Sequence, residues 1–126
     1  MIQNELIVLR VPSSKDIHLI ADIIFRNFFA FGFLIVEFNK QEQPHEQLLC
    51  FKPLFGQTLP HDRSKEFMIT EISTTHRHSG YLGTSNEQHF FHTDGAYMKN
   101  PPPIVLMRCE TAATRGGETI LVDSKK

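Results

Sequence analysis

The first part of the chain alternates between β-branched runs and a helical apolar stripe. Residues 6–11 read LIVLRV and end at Pro12, which predicts a strand. Ser13 followed three residues later by Asp16 is typical of a helix start. Apolar residues then recur at helical spacing and predict a helix that ends at Gly32. The residues of this stripe are Ile17, Ile20, Ala21, Ile24, Phe25, Phe28 and Phe29.

A second strand and a second helix follow the glycine. Residues 33–38 (FLIVEF) are nearly all apolar, which predicts a strand covered on both faces. A helix is expected from about Gln41, because Pro44 is tolerated in a first helical turn. Pro53 should end or kink this helix, and Gly56 should close the segment.

The pattern changes after Pro60, where short apolar runs are separated by turn-rich pieces. Four of these runs predict strands, at residues 67–72, 88–93, 104–109 and 119–122. The predicted fold class is therefore α+β and mainly β, with a strand and helices at the N-terminal side. A chain of 126 residues suits a single domain, residues 1–126.

Composition excludes several function classes. The net charge is −1 and no basic run exceeds two residues, which argues against nucleic-acid binding. No apolar stretch reaches the roughly 18 residues of a membrane span, and the N-terminus lacks a signal-peptide layout. A cytoplasmic location is the resulting expectation. Cys50 and Cys109 lie in apolar runs and are expected to be buried free thiols rather than a disulfide.

The candidate chemistry lies in the stretch Phe90-Phe91-His92-Thr93-Asp94. Residues i and i+2 of an extended segment point to the same side, so His92 and Asp94 would direct an imidazole nitrogen and a carboxylate oxygen into one space. Two histidines and one carboxylate form the facial triad of non-haem Fe(II) oxygenases. Phe90 and Phe91 would shield such a site from water. His89, three residues before His92, would face the opposite side of a strand and is expected to be structural.

A His-x-Asp pair occurs by chance in many proteins, so its surroundings decide its meaning. The pair is followed by Pro101-Pro102-Pro103, an apolar run at 104–107, and Gly116-Gly117-Glu118-Thr119 before a second apolar run. In this order and spacing, residues 80–123 resemble the TauD/TfdA family, which includes taurine dioxygenase and the butyrobetaine hydroxylases. Residues 6–56 are compatible with the opening of the same family.

The resemblance implies an Fe(II)- and 2-oxoglutarate-dependent dioxygenase built on a double-stranded β-helix, or jelly roll. His92 and Asp94 match the first two iron ligands, and Thr119 matches the hydroxyl that hydrogen-bonds a carboxylate of 2-oxoglutarate. Because a carboxylate stands at Asp94, the resemblance favours hydroxylation over halogenation, with O2 as the oxidant and a small molecule as the substrate. Candidate pocket residues around the pair are Tyr97, Gln88, Asn86 and Tyr81.

The family pattern also needs a second histidine and a later arginine, which pairs with the distal carboxylate of 2-oxoglutarate. No histidine follows His92, and neither Arg108 nor Arg115 is preceded by one in the required order. The expectation is an incomplete jelly roll: the N-terminal portion of a dioxygenase domain, inactive alone. It would be a truncated product or half of a split pair. The alternatives are a non-catalytic remnant that works as a binding module and an unrelated β-rich domain. An unpaired strand edge would favour a second chain that supplies the missing half, or a homo-oligomer.

Overall fold

The computed structural model describes residues 7–61, 63–73, 85 and 87–122. Backbone contacts divide the chain into two compact units, Met1–Thr58 and Leu59–Lys126. The expected metal ligands lie in the second unit, whereas the first unit contains the helices and a small sheet.

The sheet of the first unit has two parallel strands. β1 spans Val8–Val11 and β2 spans Ile35–Phe38, with Val8 opposite Ile35 and Val11 opposite Phe38. Parallel strands need a crossover connection, which a 3-10 helix and an α-helix supply here. Both predicted strands are confirmed with shorter bounds, and residue 6 lies outside the described residues.

The prediction that the second strand is covered on both faces is wrong. Val36 and Phe38 pack toward the core, but Ile35 remains 41% exposed on the other face. Beside it, the Arg10 guanidinium donates to the Glu37 carboxylate at 2.7 Å across the two strands. A charged pair on an outward face accounts for the exposure, because burying it would require desolvating both charges.

The helical crossover begins and ends where the sequence predicts. A 3-10 helix spans Ser14–Ile20, and α1 spans Ala21–Phe31. The Ser13 hydroxyl donates to the Asp16 carboxylate at 2.7 Å. The serine side chain therefore does not accept a hydrogen bond from a backbone amide of the helix, as an N-cap residue usually does. At the other end Gly32 has φ 79°, and its amide bonds the carbonyl four residues earlier. This is the left-handed helix end that glycine allows without strain.

Two short helices complete the first unit. α2 spans Pro44–Leu49 and is preceded by a capping box, in which the Gln43 amide donates to the Glu46 carboxylate at 3.1 Å. α2 thus ends four residues before Pro53, and Pro53 lies in the first turn of α3, which spans Lys52–Phe55. Gly56 closes the segment with φ 99°, as expected.

The hydrophobic core of the first unit is small. Its buried members are Val11, Ile17, Ile24 and Phe51. Phe51 extends this core into a set of phenyl rings, with Phe38 at 6.3 Å and Phe55 at 6.5 Å between ring centroids. Contacts at these distances are within the favourable range for aromatic pairs.

One residue of the predicted helical stripe is not inward-facing. Phe29 is 72% exposed, so its assignment to the inner face is wrong. Its ring stacks on Phe25 at 6.2 Å and meets Phe28 edge-on at 5.4 Å. Phe25 and Phe28 are the rings that reach inward, since both contact Phe55.

The second unit differs from the expected β-structure. Its described residues contain one 3-10 turn, Glu66–Met68, and no strand, so the four strands predicted there are not found. At the first of them, Phe67 and Met68 have φ values of 58° and 60°, which an extended strand excludes. No described side chain of this unit is buried. The described residues therefore do not show the mainly β class or a jelly roll.

The two cysteines are free, but their environments differ. Cys109 is exposed, so the prediction that it is buried is wrong, and Cys50 is only partly buried. Burial raises the pKa of the Cys50 thiol from 9.0 to about 11, and the negative charge of Glu42 adds to the increase. Among the described residues, no helix is both long and apolar enough to cross a membrane.

Candidate metal centre

The imidazole and carboxylate singled out in the sequence converge. His92 Nε2 lies 3.4 Å from Asp94 Oδ1, and the two side chains are 56% and 52% exposed. The convergence expected from i, i+2 spacing is thus found although the segment is not a strand. Two donors bound to one ion at about 2.1 Å lie about 3.0 Å apart at a right angle and about 3.4 Å apart at a tetrahedral one. The observed separation therefore fits two ligands of one metal ion.

A backbone contact orients the imidazole. His92 Nδ1 lies 2.7 Å from the carbonyl oxygen of Phe90. A carbonyl only accepts hydrogen bonds, so Nδ1 is the donor and carries the proton. In a neutral ring this leaves the lone pair on Nε2, the nitrogen that faces Asp94. In metal-binding histidines, the ring nitrogen that does not bind the metal usually donates a hydrogen bond of this kind, which sets the tautomer and the orientation of the ring. Sequence reasoning missed this contact, since it depends on a side-chain torsion that no pattern reports.

The aromatic residues before the pair do not shield it. Phe90 is 86% exposed and Phe91 is 74% exposed, so the expected screen against water is absent from the structure. The expectation that His89 faces away from His92 is also wrong, because their ring centroids lie 5.8 Å apart. Both expectations assumed an extended strand, which this segment does not form.

A tight turn follows the carboxylate. The Met98 amide donates to the Gly95 carbonyl at 2.8 Å, and Gly95 has φ 67°, in the left-handed region. A Cβ atom on Gly95 would lie 2.7 Å from Pro102 Cδ and 3.1 Å from Met98 Sδ. The glycine is therefore required both by its backbone angle and by the proline packed against it. The sequence carried a signal for this contact, since a glycine and a proline run both follow the pair closely.

The glycine turn before Thr119 has the predicted backbone. Gly116 and Gly117 have φ values of 73° and 82°, both in the left-handed region, so the expectation of positive φ is confirmed. Thr119 itself is exposed, and no hydrogen bond of its side chain is found within the described residues. The structure thus brings the imidazole and carboxylate together, whereas the role of Thr119 stays a prediction.

The remaining candidate pocket residues are only partly described. Tyr97 is 67% exposed, and Gln88 is also exposed. Tyr81 and Asn86 lie outside the described residues. Across the described parts of the chain, no group of three or more His, Cys, Asp or Glu side chains is arranged to hold a metal ion. The site as described therefore supplies two donors.

An imidazole and a carboxylate that converge are two of the three ligands in the facial triad of non-haem Fe(II) oxygenases. Residues 18–126 match the family described as "Taurine catabolism dioxygenase TauD, TfdA family", and the chain belongs to this family. Its members are oxidoreductases of the dioxygenase type that use Fe(II) and 2-oxoglutarate. No curated protein and no solved structure matches the chain.

Proposed function

We propose that this chain provides half of the active site of an Fe(II)- and 2-oxoglutarate-dependent dioxygenase that hydroxylates a small molecule. The observation that carries the proposal is the 3.4 Å separation between His92 Nε2 and Asp94 Oδ1, within a chain of the TauD/TfdA family. Iron held there would supply the O2 chemistry, with 2-oxoglutarate converted to succinate and CO2.

The donor set suits Fe(II). An imidazole nitrogen and a carboxylate oxygen are two of the three ligands in the facial triad, which leaves further positions for a cosubstrate and O2. The hydrogen bond from His92 Nδ1 to the Phe90 carbonyl keeps Nε2 directed at the space beside Asp94. Both side chains are about half exposed, so this space is open to an ion from solvent.

Thr119 is the residue that we assign to 2-oxoglutarate. Its hydroxyl can donate a hydrogen bond to a carboxylate, and such charge-assisted bonds are stronger than neutral ones. Gly116 and Gly117 bend the backbone just before it through two left-handed positions. In the assembled site, we propose that this turn brings the hydroxyl toward the metal pair.

We propose that a second chain supplies the third iron ligand and the arginine for 2-oxoglutarate. The sequence has no histidine after His92 to serve as the downstream ligand. The fold that joins both halves would be the family's double-stranded β-helix. Substrate choice would rest partly on Tyr97 and Gln88, with Tyr81 and Asn86 as further candidates.

Anaerobic titration with Fe(II) and 2-oxoglutarate tests the proposal. The chelate of 2-oxoglutarate on protein-bound iron is expected to give a visible charge-transfer band. His92→Ala and Asp94→Ala should each abolish the band, whereas His18→Ala should leave it unchanged, since His18 is exposed in the first unit. A band of equal strength in wild type and both ligand variants would refute the assignment.

The threonine has its own matched control. Thr119→Val keeps the shape but removes the hydroxyl, and the loss of a hydrogen bond to a charged group costs about 1.5–3 kcal/mol. The apparent affinity for 2-oxoglutarate should therefore fall about tenfold or more. Thr114→Val, which alters another exposed threonine before the glycine turn, should not change it. Equal effects of the two variants would exclude Thr119 from the 2-oxoglutarate site.

A catalytically inactive binding module is the second candidate function. It is favoured by one observation, that the described residues offer no third metal donor. The two functions differ in one measurement. Adding the complementary half of a family domain should restore substrate-dependent release of succinate if the chain is part of an enzyme, and should not if it is a remnant.

A further inference from the structure

We propose that Pro102, packed on Gly95, is a positioning residue that directs the Asp94 carboxylate toward His92. This inference rests on the proposed function for its catalytic meaning, but the contact itself exists in the metal-free protein. It concerns three neighbouring elements of the second unit: the metal pair, the turn after it and the proline run.

The carboxylate has little else to direct it. Asp94 is 52% exposed, and within the described part of the chain its side chain contacts no polar group other than His92. A half-exposed carboxylate with one partner samples several rotamers unless its backbone limits them. The direction of Asp94 is therefore set mainly by the backbone at residues 94 and 95.

That backbone is constrained from one side by a proline ring. The space above Gly95 is closed, because a Cβ there would lie 2.7 Å from Pro102 Cδ and 3.6 Å from Pro101 Cα. The Gly95 carbonyl is also held, by the Met98 amide at 2.8 Å. Gly95 thus lies between a ring on one side and a hydrogen-bonded turn on the other.

The prolines are suited to act as a fixed surface. Each ring locks its own φ near −65°, and each proline also restricts the residue before it, so a run of three forms a stiff extended segment. Of the three, Pro102 is partly buried, whereas Pro101 and Pro103 are exposed. Pro103→Ala is therefore a matched control, since it changes the same residue type in the same run without the contact to Gly95.

The first experiment needs no metal. The nitrogen chemical shifts of the His92 ring are measured by NMR in the full chain, with and without Asp94→Asn, in three backgrounds. In wild type and in Pro103→Ala, the Asn substitution should shift the Nε2 signal, because the carboxylate lies beside it. In Pro102→Ala this response should be largely lost. An unchanged response in Pro102→Ala overturns the proposal, whatever the protein does with iron.

The second experiment measures metal affinity. Mn²⁺ serves as the probe, and its binding is followed by paramagnetic broadening of the His92 ring signals. Removal of groups that orient metal ligands typically weakens binding about 10–100-fold, so Pro102→Ala should weaken it about tenfold and Pro103→Ala should not. If wild type and Asp94→Ala show the same broadening of the His92 ring signals, the proposed function fails, and the metal-free experiment still decides the role of Pro102. If Pro102→Ala binds Mn²⁺ as wild type does, the proline has no positioning role.

Gly95→Ala tests the same contact by changing the glycine instead of the proline. A side chain there meets both the left-handed φ of 67° and the proline ring at 2.7 Å. The variant should lose the His92–Asp94 response in the metal-free experiment. The double variant Gly95→Ala with Pro102→Ala should be no worse than Gly95→Ala alone, because removing the proline ring relieves the clash that the new Cβ creates. Additive losses would show that the two residues act separately and would overturn the proposal.

Discussion

Phe51 provides the sharpest test of what stabilises the first unit. It is one of four buried core residues, 8% exposed, and its ring contacts those of Phe38 and Phe55. Phe51→Ala would leave a cavity between these rings. Phenylalanine-to-alanine changes in cores cost about 3–5 kcal/mol, the sum of a transfer and a cavity contribution.

The expected loss is large compared with the stability available. The unit spans Met1–Thr58, and at about 0.05–0.15 kcal/mol per residue its unfolding free energy is about 3–9 kcal/mol. Phe51→Ala should therefore remove a third or more of it and can unfold the unit outright. Phe29→Ala is the control, because Phe29 is 72% exposed and should cost about 1 kcal/mol through its partial burial.

Urea denaturation of the full chain, followed by circular dichroism at 222 nm, measures both variants. The helical signal reports on the first unit, because all three α-helices of the described residues lie there. The midpoint should fall far more for Phe51→Ala than for Phe29→Ala. Equal shifts would show that the ring contacts of Phe51 do not form the stabilising core.

Four further predictions concern His92, Cys50 and the Arg10–Glu37 pair. Nitrogen NMR of His92 should show the proton on Nδ1, since that atom donates to a backbone carbonyl; a proton on Nε2 alone would contradict the contact. Cys50 should be alkylated much more slowly than the exposed Cys109 at pH 8, because its pKa is raised to about 11. The raised pKa also stabilises the fold below about pH 9, and this contribution should be lost as the pH rises to about 11; a flat pH dependence in this window, relative to Cys50→Ala, would refute it. A double-mutant cycle on Arg10 and Glu37 should give less than about 1 kcal/mol, since both side chains are exposed; a larger coupling would contradict this.

The first unit could be predicted from sequence because its signals are local. Gly32 ends α1, and Pro44 begins α2, as each residue's backbone preferences dictate. The exposed position of Phe29 was not predictable from sequence. The apolar residues at helical spacing form a stripe that is wider than the part of the helix that neighbouring elements bury. Which residue at the edge of a stripe is left uncovered depends on the neighbouring elements.

The apolar runs of the second unit predicted strands that its described residues do not form. A strand forms only with a hydrogen-bonded partner and a surface to cover it, and residues 120–122, for example, are 62–67% exposed. The convergence of the two side chains was predicted for a more robust reason, and their role as metal ligands stays a prediction. Two side chains separated by one residue can converge on one ion in several backbone conformations, so His92 and Asp94 approach each other without a strand.

The absence of buried side chains among the described residues of the second unit has a thermodynamic consequence. A segment without its own core gains most of its order from whatever it binds, so ligand affinity and local folding are linked. A ligand that binds only the ordered form adds about 2.7 kcal/mol when its concentration is a hundred times its Kd. If the proposed site binds iron and 2-oxoglutarate, part of their binding free energy would order these residues, and hydrogen exchange around residues 88–119 should slow when they are added.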